Sequence, residues 1–128
     1  MIKHLRQPDY YMCGHTVAAM LAGTTVARVR GPTGHGGPTT WREVYSVLHV
    51  LGVVCAVRMV PVYGPAEVPA TAVLQLPGDA PALHHFVAVA GGHVYDPARR
   101  RPYPLAEHTF ELAPVSRIAY CAEVLNGV

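Results

Sequence analysis

The order of patterns along the 128 residues predicts an α+β domain of two layers, helices first and an antiparallel sheet after them. Three observations carry this. Apolar residues recur at helical spacing through Val17, Met20 and Leu21, and again through Trp41, Val44, Tyr45, Leu48 and Leu51. From Val53 onward the character changes to β-branched runs, Val53 to Val62 and Thr71 to Leu76, with Pro61, Pro65 and Pro69 marking the connection between them. Finally, His85 to Ala90 and His93 to Asp96 flank Gly91-Gly92, the pattern of a hairpin closed by a two-residue turn.

Residues 1–12 form a leading segment that ends in the turn-prone Pro8-Asp9. The first helix runs from about Cys13 to Ala22, and Gly23 is its natural stop. Residues 24–30 fit either an extension of that helix or a short strand. Gly31 to Pro38 is a loop by composition; it lacks the Lys-Ser/Thr ending of a phosphate-binding loop and is given no nucleotide role. Thr40-Trp-Arg-Glu43 is a capping box that opens a second secure helix, closed by Gly52, whose apolar stripe packs beside the first helix or on the sheet. Pro77-Gly-Asp-Ala-Pro81 is a turn. Arg99-Arg100-Arg101 reads as a solvated turn able to dock an acidic substrate segment, and a last strand spans about Ser116 to Val124.

The chemistry centres on Cys13. A thiol in the first turn of a helix feels the positive end of the helix dipole and unpaired N–H groups, both of which favour the thiolate. Six residues upstream, Gln7 offers an amide that can fold back as an oxyanion donor. Gly14 lets backbone approach the thiol, and Tyr10 and Tyr11 either line a cleft or pack. The hairpin then selects a base. With Gly91-Gly92 as the loop, Ala90 faces His93 and Val87 faces Asp96, so His85 shares a face with Asp96 as its diagonal neighbour. A three-residue loop would reverse that parity. His84 and His93 point to the other face, as exposed strand positions. Cys55 and Cys121 lie in apolar strand patterns and are read as core.

The ordered set Gln7-x5-Cys13-Gly-x-Thr16, then His85-Phe-Val-Ala-Val, then Val94-Tyr-Asp96-Pro97 resembles the papain-like cysteine peptidases of the C39 and C39-like group. The resemblance extends over nearly the whole chain in the order and approximate spacing of its elements. It implies a papain-like fold, a helical layer carrying the cysteine against a sheet carrying histidine and aspartate. It also implies roles: Cys13 as nucleophile, His85 as base, Asp96 as the group orienting it, and Gln7 in the oxyanion hole. Met12, where the family often has a small or polar residue, and the short arginine-rich stretch after Asp96-Pro97 depart from the pattern.

The bulk numbers bound the alternatives. A chain of this length with only 14% charged residues is expected to be one domain with a real core. A formal charge of +2 does not make nucleic acid the default partner. Three cysteines without a C-x-x-C describe neither a disulfide framework nor a zinc knuckle. A metal site from Cys13, His15, His84 and His85 matches no standard zinc spacing, so no metal and no cofactor are expected. No signal pattern or membrane-length apolar run is visible, which favours a cytoplasmic location without membrane insertion. Nine arginines against the single Lys3 hint at a GC-rich bacterial or phage genome. Three functions fit: a thiol peptidase acting on peptide or isopeptide bonds, a transglutaminase-type acyltransferase or deamidase, and a peptide-binding module without catalysis. The expected partner of each is a peptide or protein.

Overall fold

The structure, a computed structural model, describes residues 2–77, 84–110 and 118–127. Among these residues three helices come first: α1 (Cys13–Ala22), α2 (Val26–Thr33) and α3 (Trp41–Val50). Seven strands follow: β1 (Val54–Cys55), β2 (Val60–Val62), β3 (Thr71–Pro77), β4 (His84–Ala90), β5 (His93–Tyr95), β6 (Tyr103–Pro104) and β7 (Ala119–Asn126). They form an antiparallel sheet in the order β1-β7-β3-β4-β5-β6, with β2 also paired to β7. This is the expected α+β arrangement.

Local chemistry explains the boundaries. Gly23 ends α1 in the left-handed region (φ 68°), its N–H returning to the carbonyls of Ala19 and Met20. The capping box of α3 is complete: Thr40 accepts from the Glu43 N–H, and the Glu43 carboxylate accepts from the Thr40 N–H. Residues 24–30 are neither an extension of α1 nor a strand: a separate helix, α2, begins at Val26 and also absorbs the first part of the expected loop at Gly31 to Pro38. Thr25 caps α2 by accepting from Arg28 N, and Gly34 closes it in the left-handed conformation. Pro32, in the last turn, gives up the bond its N–H would make to the Arg28 carbonyl, and Gly31 before it has no Cβ to clash with its ring.

The β-branched run at Val53 to Val62 is broken into β1 and β2, which pair with the two ends of β7. The bend between them is pinned where Trp41 Nε1 donates to the Val57 carbonyl at 2.8 Å. Pro61 sits within β2, an edge position that needs no N–H from it. The turn expected at Pro77 to Pro81 lies outside the described residues from 78 on, as does the start of the last strand at 116 and 117.

Both faces of the sheet are covered. Phe86, Ala88 and Val73 pack with Val17, Met20, Leu21 and Leu48 of the helical layer. The alternate residues Val87, Val89 and Leu74 pack with Val94, Cys121 and Leu105 on the other side. Burying side chains of this size contributes about 1.5–3 kcal/mol each. The helical layer thereby fixes the tip of α1 against the beginning of β4.

Candidate active site

Cys13 is the first residue of α1 and is 8% exposed. No side chain caps the helix at Met12, so the N–H groups of its first turn remain for a charge placed at the tip. The Gly14 backbone hydrogen-bonds the Cys13 sulfur, as expected, and the residue has a second purpose. A Cβ there would lie 1.9 Å from Thr39 Oγ1 and 3.0 Å from Val44 Cγ2, so glycine lets the segment before α3 close onto the helix tip.

The place where the sulfur meets the sheet follows from strand pairing. In the β4–β5 ladder Ala90 pairs with His93 and Ala88 with Tyr95. Across a two-residue hairpin the closing pair is hydrogen-bonded, so alternate residues of β4, including 88, 86 and 84, direct their backbone groups toward β5. The partner opposite Phe86 would be Pro97, which has no N–H, and the ladder stops. Cys13 occupies the edge left open. Its Sγ lies 3.9 Å from the His84 carbonyl oxygen and takes a hydrogen bond from the Phe86 backbone. The unused Pro97 carbonyl accepts instead from Gln7 N at 2.9 Å, drawing the leading segment to the same place.

His85 and Asp96 share a face of the hairpin as the parity argument requires. His85 Nε2 is 2.6 Å from Asp96 Oδ1, which leaves Nδ1 for the thiol. Oδ1 also accepts from Ala98 N at 2.9 Å, so Asp96 initiates a turn as well as holding the ring. Burial pulls the Cys13 thiol up, but the hydrogen bond to His85, the Phe86 backbone bond and the imidazolium charge together hold it below the ordinary thiol value. Burial likewise works against a charged His85, yet bonds and charge from Asp96 and Cys13 raise it to about 9. Asp96 is held low, against its burial, by the bond to His85, the imidazolium charge, Ala98 N–H and Arg99. Cys55, with burial alone acting on it, is pushed up to about 11, and Cys121 is also raised by burial. Both are core residues. Of the three thiols, only Cys13 is set up to ionise.

No protein-family model matches the chain, and no curated protein matches it in sequence. Solved structures do. A double-glycine-motif protease from an AMS/PCAT transporter, crystallised with its leader peptide, superposes with a TM-score of 0.64 at 17% identity, covering 97% of this chain and 91% of its own. The peptidase domain of Streptococcus ComA, a bifunctional ABC transporter of a quorum-sensing pathway, gives 0.62 at 15% identity, covering 94% and 96%. The chain has the C39-like peptidase fold.

Within this C39-like fold the cleft has a volume of about 660 Å³ and is lined by Gln7, Cys13, His85 and Asp96 together, with Tyr10, Tyr11 and Trp41 among its walls. Gln7 is in the cleft, but its Nε2 is engaged by its own loop, donating to the carbonyls of Asp9 (2.9 Å) and Tyr10 (3.2 Å). Its Oε1 is buried and unpartnered among the described residues. His84 is exposed, as expected of an outward strand residue, yet it too lines the cleft. Strand parity gives a side chain's face and not what stands across from it, so this escaped the sequence. The metal alternative loses its His15. That ring is buried, with Nε2 2.6 Å from the His35 carbonyl. Among the described residues no helix is long and apolar enough to cross a membrane.

Proposed function

We propose that the 128 residues act as a single cysteine peptidase domain that hydrolyses peptide bonds. Cys13 is the nucleophile, His85 the general base and acid, Asp96 the group that orients His85, and Gln7 an oxyanion donor. The observation that carries the reading is the 2.6 Å His85–Asp96 bond in the cleft that holds the one low-pKa thiol.

The Cys13 thiolate attacks the scissile carbonyl, and the carbon–oxygen π pair becomes the oxyanion. The first N–H groups of α1 and one N–H of Gln7 receive it, once the amide gives up a loop carbonyl. As the tetrahedral intermediate collapses, the carbon–nitrogen bond breaks and imidazolium His85 protonates the departing amine. Neutral His85 then takes a proton from water, the hydroxide attacks the thioester, and the acid product leaves with the thiolate–imidazolium pair restored. A single oxyanion donor is worth about a hundredfold to a thousandfold in turnover, which gives Gln7 a large but not absolute share. The substrate is a peptide or protein segment, in keeping with the leader peptide held by one structural neighbour. The aromatic side chains of Tyr10, Tyr11 and Trp41 suit an apolar segment on either side of the scissile bond.

A peptide-library digestion comparing the native protein with Cys13→Ala tests the reading. New termini should form with the native protein only. Deamidated or cross-linked glutamine without new termini would indicate the acyltransferase instead. Iodoacetamide at pH 6 should modify Cys13 well before Cys55 and Cys121; equal rates for all three would count for a non-catalytic module.

A further inference from the structure

We infer that Arg99 is a positioning residue for the Cys13–His85–Asp96 set, facing the outer oxygen of Asp96 so that the group holding His85 stays a charged carboxylate. The inference rests on the catalytic reading above. Asp96 Oδ1 carries two bonds, from His85 Nε2 and Ala98 N, at 2.6 and 2.9 Å. Oδ2 faces Arg99 Nε at 3.8 Å. Without that cation the buried carboxylate has no opposite charge on its outer side, so the neutral acid, a weaker acceptor for the ring, forms more readily.

A surface arginine ordinarily gains little from such a pair, because ordering a long side chain costs most of the Coulomb attraction. Arg99 is 62% exposed, but it is tethered at three other points. Its N–H returns to the Asp96 carbonyl at 3.0 Å, and its own carbonyl bonds His4 Nε2 at 2.7 Å. Its guanidinium carbon lies 4.5 Å above the centre of the Tyr103 ring. That ring is itself held, its hydroxyl sharing a 2.8 Å hydrogen bond with His108 Nδ1. The main chain of Arg99 is thus fixed at two points, and the Tyr103 ring backs the guanidinium where it faces the carboxylate. Arg100 and Arg101, exposed and without any of these tethers among the described residues, are the solvated remainder of the run.

The charged and titratable groups around Asp96 are His85 from β4, Arg99 from its own turn, Tyr103 from β6 and His108 behind it, with Cys13 across His85. Arg99 is the cation that favours the carboxylate from the solvent side. Its loss lets Asp96 take up a proton at higher pH, and a protonated Asp96 no longer supports the imidazolium that keeps Cys13 ionised. Reactivity should then fail earlier as pH decreases.

The test is the rate of Cys13 alkylation by iodoacetamide between pH 3.5 and 8, read by mass spectrometry, which needs no substrate. Arg99→Gln should leave the rate at pH 8 unchanged and slow it about two- to fivefold on the acid limb, the range expected of one partly exposed ion pair. Arg99→Lys, which keeps the charge, should recover most of that loss. Tyr103→Leu, which keeps Arg99 and removes its backing, should shift the limb in the same direction. An Arg99→Gln profile superimposed on the native one, or a uniform slowing at all pH values, overturns the inference and leaves the peptidase reading intact. A native Cys13 with no selective reactivity at acid pH removes the reading itself, and the inference with it.

Discussion

Asp96 uses a single oxygen to hold the ring of His85 and to start the turn at Ala98, so its charge and its geometry can be separated by substitution. Asp96→Asn keeps the volume and removes the charge that, with the Cys13 thiolate, lifts His85 to about 9. The imidazolium then loses its proton at lower pH. The alkaline limb of kcat/KM should move down from about 9 toward the ordinary histidine value of about 6.5. An unmoved limb would mean that Asp96 does not set the protonation of His85. His85 and Asp96 were legible without coordinates because a two-residue glycine turn fixes parity, and parity fixes face. The orientation of the Gln7 amide was not. It depends on the carbonyls of Asp9 and Tyr10, which no side-chain pattern encodes.

Among the elements, α1 and α3 meet through one glycine. Gly14→Ala should improve helix propensity, but the added methyl meets Thr39 Oγ1 and Val44, and the clash outweighs the gain. A loss of about 1–3 kcal/mol is expected from urea denaturation. The double variant Gly14→Ala, Thr39→Ala should recover part of it; simple additivity would show that the two sites do not touch. The capping box of α3 was legible to the residue because its two hydrogen bonds are local. Helix α2 was only half legible. Thr25 and Gly34 are good caps, but Gly31-Pro32 within three residues of the end carries a loop composition that the helix overrides. The break between β1 and β2 was hidden too, since the contact that makes it, Trp41 to Val57, joins residues from different layers.

For the molecule as a whole, the site also enters the stability. A histidine raised above its ordinary value contributes stability that is full below about 6.5 and lost as pH rises through about 9. In the native protein the lowered Cys13 works in the opposite sense over the same range, because its thiolate forms as the imidazolium does. Removing the sulfur exposes the histidine contribution, then set by Asp96. The urea midpoint of Cys13→Ala should decline as pH rises above 6.5, and the decline should be absent when His85→Gln is added. Equal slopes in the two variants would mean that the folded state does not favour a charged His85. The layer order could be read from the sequence, since helical spacing gives way to β-branched runs near Val53, but the second core face, closed by Leu105, could not.

The early end of β5 has a consequence for what defines such a site. Gln7, Cys13, His85 and Asp96 could all be kept in a chain whose second hairpin arm zipped two residues further, and the sulfur would find its berth on β4 already filled by main chain. Pro97 forbids that zipper by lacking a hydrogen. A functional motif here therefore includes a place where a strand must not continue, and a residue outside the lining of the cleft keeps main chain out of it.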